Sequence, residues 1–449
     1  MVDHDVLVVG GGPVGLLLAC LVAQDGRRVR VCERRAEPGL QTRAIGIHRP
    51  GLDALDAAGV GADVRSAALR LSSGEVRSRG RRLAALTFPP ERPILTLAQP
   101  RTEELLRDRL RTLRPDALQF GSAVRSVQDE GPLVRVGIDG EHGPVEETAS
   151  VVVVADGVRS ALRAAFGAGW GRRSGSAGYA MLDVDDPQAD DRAVLYFEPD
   201  GLVESFPLPG GRRRWVVRED SDRAVASAGE LATSSGAGRG TSSTWTPRRR
   251  CRRSAAAQHA ARRLHRGRIV LLGDAAHEVS PIGGQGMNLG WADALRLAAA
   301  LRRTDRGAVP VLDGFAREVQ RTARKAHRRS AFFMAMGAPA IAPVVAAREG
   351  LSACSAPRRC AVDHRPHHHA RSVTREGPIR DARTGPSRGV GSEVDHVAGE
   401  AVEALLQRLR QRRCVCTLRA SSRAVRSHFC ASVSSEARSD TSGRSCARR

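Results

Sequence analysis

Asp3-His4-Asp5-Val6-Leu7-Val8-Val9-Gly10-Gly11-Gly12-Pro13-Val14-Gly15, followed after one helix length by Val29-Arg30-Val31-Cys32-Glu33, is the stretch on which the fold turns. Val6–Val9 is the short apolar run expected of a parallel strand covered on both faces, and it empties into a G-x-G-x-x-G loop. In such a loop Gly10 permits the tight turn, Gly12 lets backbone approach a pyrophosphate with no Cβ between them, and Gly15 lets the next helix lie close on the sheet. The helix N-terminus that follows offers unpaired N–H groups and the positive end of a dipole, which together favour an anion. Leu16–Ala23 is apolar on every side, which predicts a buried helix, and Gly26 is placed to cap its end. Glu33 closes the second strand 18 residues past Gly15, near the spacing at which an acid meets an adenosine ribose. Strand, loop, helix, strand and acid in this order define a dinucleotide-binding unit, with FAD and NAD not yet separated.

The composition narrows the partners. The 449-residue chain carries a net charge of +22, but residues 221–270 hold +9 of it and residues 351–449 hold +10. The remainder is nearly neutral, and Lys325 is the single lysine among 71 basic residues, so the excess reads as a coding bias toward Arg and not as a phosphate-contacting surface. Nucleic acid is therefore not an expected partner. Nine cysteines, an odd number with irregular spacing, argue against a disulfide framework, and neither Cys414-Val415-Cys416 nor His367-His368-His369 has the spacing of a metal site. Asp3 and Asp5 stand where a secretory signal would be positive, and the first apolar helix is too short to span a bilayer, which predicts a cytoplasmic protein with no membrane partner. Ser330–Ala347 is uncharged but interrupted by Gly337, Pro339 and Pro343, and reads as a buried or docking helix pair.

Further along, an amphipathic helix is expected around Leu52, Leu55 and Ala58, and Arg43 lies before it, within reach of bound phosphates. Gln99 opens another helix, with Thr102 as its expected N-cap. Val151–Val154 is a pure Val strand that delivers Asp156-Gly157 at its carboxyl end, where ligands bind in open α/β sheets. Between Tyr179 and Arg218 the period changes to alternation, predicting an antiparallel sheet with turns at Asp200-Gly201 and Gly210-Gly211. A last strand, Ile269–Leu272, runs into Gly273-Asp274, and Pro281-Ile282-Gly283-Gly284-Gln285-Gly286-Met287-Asn288 leads into a helix. Two glycine loops that aim N–H groups at one crevice imply a ligand electron-rich at both ends, as a flavin dinucleotide is.

With these motifs in place, the chain resembles the FAD-dependent aromatic hydroxylases typified by para-hydroxybenzoate hydroxylase. The resemblance rests on the loop Gly10–Gly15, on Asp156-Gly157 with Arg159 and Ser160, on Gly273-Asp274 with Pro281 and Gly283–Asn288, and on Gln99 before its helix. It implies a doubly wound, Rossmann-like FAD-binding α/β fold with an inserted antiparallel-sheet substrate domain. The FAD-binding part would comprise residues 1–65, 94–165 and 258–350, the substrate domain 66–93 and 166–257, and a basic, disordered tail 351–449. It further implies non-covalent FAD, NADPH or NADH as co-substrate, molecular oxygen, and an aromatic or polyketide-like small molecule to hydroxylate. Glu33 would bind the ribose, Arg43 and Gln99 the pyrophosphate and ribityl side, and Asp274 the ribityl chain. Pro281 would line the reacting edge of the flavin, Gly284, Gly286, Met287 and Asn288 would present N–H groups to its pyrimidine carbonyl, and Asp156-Gly157 would serve both FAD and NAD(P)H. Tyr196 and Arg214 are the candidate substrate contacts, with no catalytic side chain assigned. A same-fold flavin reductase or halogenase, or a degenerate flavin-binding protein without catalysis, are the alternatives. Residues 221–257 and the tail depart from the family pattern; 221–257 shows no helical or strand period, and both stretches read as text in a shifted frame.

Overall fold

The computed structural model describes residues 2–349 apart from 40–43, 142, 188–189, 200, 220–251, 281, 283, 305–311, 339–344 and 347–348. Arg43, Pro281 and Gly283 therefore lie outside the described residues, as do the tail and nearly all of the aberrant stretch.

The expected strand–helix–strand unit forms as His4–Val9, Pro13–Gln24 and Val29–Cys32. Every residue from Gly15 to Ala23 is buried, because this helix is covered on all sides: the sheet below it, and the helices Gln99–Leu113 and Gln285–Arg302 beside it. The first strand sits in the middle of a parallel set. On one side it pairs with Val29–Cys32, which pairs with Leu118–Gln119; on the other it pairs with Gly143–Val154, which pairs with Ile269–Leu271. The chain leaves this strand toward one neighbour and returns later on the other side, so the crevice above it is a topological switch point. The apolar residues of these strands and helices form the main core.

A second, eight-stranded sheet stands against this unit in the order His277–Glu278, Arg252–Ala261, Trp170–Asp185, Arg212–Glu219, Gly201–Leu208, Arg192–Glu198, Ser73–Ser78, Arg81–Thr87. All of its pairings are antiparallel except the one between Arg192–Glu198 and Ser73–Ser78. The turn expected at Gly210-Gly211 is there, both glycines in the left-handed region at φ 76° and 63°.

Two local expectations are corrected. The helix at Gln99 is entered from Ala98, with Pro100 in its first turn, and Thr102 is buried within it instead of capping it. Ser330–Met336 forms the end of one 24-residue helix, Asp313–Met336, and the second half of the expected pair falls largely on residues 339–344 and 347–348, outside the described residues. The stretch without period regains a strand at Arg252, held by Trp170–Asp185 on one edge and His277–Glu278 on the other. Two neighbouring strands supply backbone partners that the Arg- and Ala-rich sequence gives no hint of, a case of tertiary pairing overriding propensity.

Candidate active site

In the parallel set Val9 lies opposite Cys32 on one side and Val154 on the other, and Val154 lies opposite Leu271. Four strands therefore end in step. Gly10, Glu33, Asp156 and Gly273, each one or two residues past its strand, are delivered to one edge of the sheet. Backbone bonds extend that alignment past the strands: the Gly10 N–H donates to Cys32 O at 2.9 Å, Ala155 to Val9 at 2.8 Å and Leu272 to Val154 at 2.9 Å.

Above this edge opens a cavity of about 1140 Å³, lined by Gly10, Gly12, Glu33, Gln99, Asp156, Gly157, Gly273, Asp274, Gly284, Gly286 and Met287. The motifs read from sequence meet in one place. At Gly10, with φ 111°, an added Cβ would lie 2.5 Å from Ala155 O, and at Gly15 it would run into the carbonyl oxygen of Gly10. At Gly12 a Cβ would meet nothing within 4 Å and would project into open space; Gly286 is likewise open. Gly10 and Gly15 are thus fixed by the fold, whereas Gly12 and Gly286 keep room for something other than protein.

Both glycine loops feed a helix N-terminus with no side-chain cap: Pro13–Gln24 begins from Gly12, and Gln285–Arg302 from Gly284, which is left-handed at φ 63°. Their first-turn N–H groups have no intrahelical acceptor and face the cavity side. The loops are locked to each other. Val14 occupies the space that a side chain at Gly273 or Gly290 would need, and the Trp291 indole N–H donates to Pro13 O at 3.0 Å.

Glu33 is buried, with one carboxylate oxygen accepting the Gly11 N–H at 2.9 Å and the other accepting the backbone and Nε donors of Arg35 at 2.9 and 3.0 Å. Burial alone would raise its pKa, but these bonds outweigh burial and hold it below the usual carboxylate range. Asp156 shows the opposite balance: burial raises it despite Ser160, and its Oδ1 is buried with no hydrogen-bond partner. Gln99 donates to Glu103 at 2.8 Å, and Asp274 is exposed at the cavity wall. The side chain of Asn288 has a bracing geometry: Oδ1 accepts the His48 N–H at 2.9 Å, and Nδ2 donates to Gly46 O at 2.9 Å and Gly284 O at 2.8 Å. Gly51 lacks the Cβ that would collide with it.

Four further side chains were not read from sequence. Arg163, buried and stacked 3.6 Å over the Trp170 ring, donates to Val158 O and Ala275 O, tying the Asp156 loop to the Asp274 turn. His277 and Asp293 form a fully buried pair at 2.6 Å that anchors the Asp274 turn to helix Gln285–Arg302. Burial alone would lower the His277 pKa, but Asp293 outweighs it and raises it. Glu204 is a buried acid on the antiparallel sheet. Its alternation with Leu202 and Phe206, also cavity-lining, was the signal that could have found it.

The cavity continues under that sheet, where Met181, Leu195, Phe197, Phe206 and Val216 form an apolar wall and Phe332, Phe333 and Met336 close it from the long helix. Arg214 lines this wall, 2% exposed and bidentate to Asp183 at 2.6 and 2.8 Å. Tyr196 does not: it points to the other face and stacks on Trp215 at 6.2 Å, because cavity-facing positions on its strand are the odd-numbered ones. That candidate substrate contact is withdrawn.

A dinucleotide-binding α/β unit whose ligand crevice is roofed by an antiparallel sheet is the class these features define. A family model described as an FAD binding domain matches residues 3–330, and the chain belongs to that family. It is 31% identical over 332 residues to a 12-dehydrotetracycline 5-monooxygenase/anhydrotetracycline 6-monooxygenase of Streptomyces rimosus, covering 68% of this chain and 64% of that protein. It is 30% identical over 330 residues to an uncharacterized aromatic compound monooxygenase of Bacillus subtilis, covering 70% and 65%. The chain thus spans a little under two thirds of the length of these relatives. Among solved structures, the anhydrotetracycline hydroxylase of Streptomyces rimosus superposes with a TM-score of 0.62 at 28% identity, over 78% of this chain and 72% of that one. The p-nitrophenol 4-monooxygenase of Pseudomonas putida shares the fold, with a TM-score of 0.68 at 24% identity over 78% and 93%. Among the described residues, no helix is long and apolar enough to cross a membrane.

Proposed function

We propose that this chain binds FAD non-covalently in the cavity and, with NADPH or NADH and molecular oxygen, hydroxylates an aromatic or polyketide-like small molecule in the cytoplasm, with no nucleic-acid or membrane partner. The observation that carries this reading is the pair of uncapped helix N-termini, Pro13–Gln24 and Gln285–Arg302, facing one cavity that runs on beneath an apolar sheet. The residues present fit the cofactor: the open space at Gly12 and the buried, unpartnered Oδ1 of Asp156 both accommodate a ligand that the protein itself does not replace.

In this reading the N–H groups after Gly12 hold the pyrophosphate, with Gln99 and Arg43 on the same side, and Glu33 meets the adenosine ribose. Asp274 accepts from the ribityl chain, and the N–H groups from Gly284 to Asn288 face the pyrimidine carbonyl, where the helix dipole stabilises negative charge. Asn288 acts through its side chain as a brace that keeps this loop against Gly46 and His48. By the resemblance Pro281 would border the reacting edge, and Asp156-Gly157 would serve both FAD and NAD(P)H. The flavin, once reduced, supplies activation of oxygen for transfer to an electron-rich ring carbon. The protein holds the ring in place and excludes water, the task of the wall formed by Phe197, Phe206, Phe332 and Phe333.

The test is to denature purified protein, identify the released flavin, and follow NADPH and NADH oxidation together with oxygen uptake in the presence of phenolic substrates. FAD release and oxygen uptake matched to hydroxylated product are expected. Protein without flavin, or turnover without oxygen uptake, would overturn the proposal, the second outcome in favour of a reductase.

A further inference from the structure

The roof of the cavity is apolar apart from a few charges, and their balance selects a class of substrate. Along Gly201–Leu208 the alternation that brings Leu202 and Phe206 to the cavity brings Glu204 as well, at 3% exposure. Glu75 lines the same wall, and its carboxylate is met by Arg77 at 2.8 Å and Arg192 at 3.2 Å, neither of which borders the cavity. Arg214 is the cation of this wall among the described residues, and its Nε and Nη2 donate to Asp183. A guanidinium matched bidentately by one carboxylate, with a second acid on the adjoining strand, is a poor receptor for another anion.

We propose, building on the hydroxylase reading, that the substrate is an uncharged, hydroxylated aromatic ring, that one ring hydroxyl donates to Glu204, and that aromatic carboxylates are rejected. A hydroxyl brought to a buried carboxylate makes a charge-assisted O–H···O⁻ bond, shorter and about twice as strong as a neutral one. A carboxylate has about four acceptor positions, so bonds from within the protein leave Glu204 able to accept from a substrate. A substrate carboxylate in the same position would set like charges together in a low-dielectric site, a repulsive element of the kind that confers specificity. Acceptance from a ring hydroxyl also shifts electron density into the ring, which matches transfer of oxygen to an electron-rich carbon.

Titration of the holoprotein with 2-naphthol and with 2-naphthoic acid, followed by flavin difference absorbance, tests the charge rule on two probes of nearly equal shape. The wild type should bind 2-naphthol at least tenfold more tightly, the worth of one hydrogen bond to a charged acceptor. Glu204→Gln should erase about tenfold of that preference by weakening 2-naphthol and admitting 2-naphthoate, with flavin content unchanged. Asp183→Asn, which removes the charge that matches Arg214, should raise 2-naphthoate affinity alone and serves where Glu204→Gln does not fold. Preference of the wild type for 2-naphthoate, or equal changes for both probes in both variants, would overturn the proposal. A preparation without flavin contradicts the hydroxylase reading instead, and the same titrations read by tryptophan fluorescence still decide the charge rule.

Discussion

Gly12→Val should separate cofactor binding from folding. Gly12 is extended, with φ −79° and ψ −179°, a conformation that a β-branched residue adopts readily, and its Cβ would meet nothing within 4 Å. The valine displaces no neighbour and leaves the unfolded chain fewer conformations, so the apo variant should match the wild type or exceed it by up to about 1 kcal/mol. The valine methyls would, however, fill the space assigned to the pyrophosphate. A ligand at 100 times its Kd stabilises the folded state by about 2.7 kcal/mol, and the variant should lose all of that. Gly15→Ala inverts the pattern, because its Cβ collides with backbone, the Gly10 carbonyl, which cannot swing aside. A cost of at least about 2 kcal/mol is expected with or without flavin. Denaturant unfolding of both variants, with and without added FAD, gives the four stabilities needed. A Gly12→Val protein that still gains stability from FAD, or whose apo form falls as far as Gly15→Ala, would refute the placement of the pyrophosphate.

Asp274→Ala should weaken FAD binding at least tenfold and more than Asp156→Ala, since Asp274 is exposed at the cavity wall while Asp156 is turned inward toward Ser160. Equal, wild-type affinity in both variants by flavin fluorescence titration would place the ribityl chain elsewhere. Asp293→Asn removes the counter-charge of His277. Because the folded pKa of His277 is raised above its unfolded value near 6.5, the pair's contribution is fully present below that pH and is lost as pH climbs through the folded value. The stability difference between wild type and variant should therefore be largest at pH 6 and shrink toward alkaline pH, and a difference independent of pH would show that His277 is not charged. Asn288→Leu should loosen the second glycine loop, leaving the brace to Gly46 and His48 unmade, and raise the Kd for FAD while Glu33→Gln, at the opposite end, leaves that loop's hydrogen-exchange protection unchanged.

What sequence made legible is what depends on near neighbours. The apolar run of Val6–Val9, the glycine spacing and the distance to Glu33 are local requirements of one strand–loop–helix turn, and they placed four motifs on a single sheet edge. The side-chain brace of Asn288 was invisible because its partners, Gly46 and His48, lie about 240 positions away and carry no signature of the contact. Tyr196 failed on parity: an alternating strand shows that two faces exist, and only the cavity-facing register of Leu195 and Phe197 says which is which. The same parity, read one strand over, would have exposed Glu204. The strand from Arg252 could not be read at all, since its neighbours and not its own residues hold it extended.

Val14, seated in the gap that Gly273 and Gly290 leave for it, sets a schedule for biosynthesis. The loop at Gly10–Gly15 emerges from the ribosome first, but its counterpart and the indole of Trp291 follow some 280 residues later. At a synthesis rate of about 5–20 residues per second, the first loop waits roughly 14 to 56 seconds for its other half. Through that interval a nascent chain has one pole of the cofactor site and nothing to hold the other. Flavin capture has to wait until Trp291 has been made, and any fragment that stops short of Trp291 should leave the ribosome colourless.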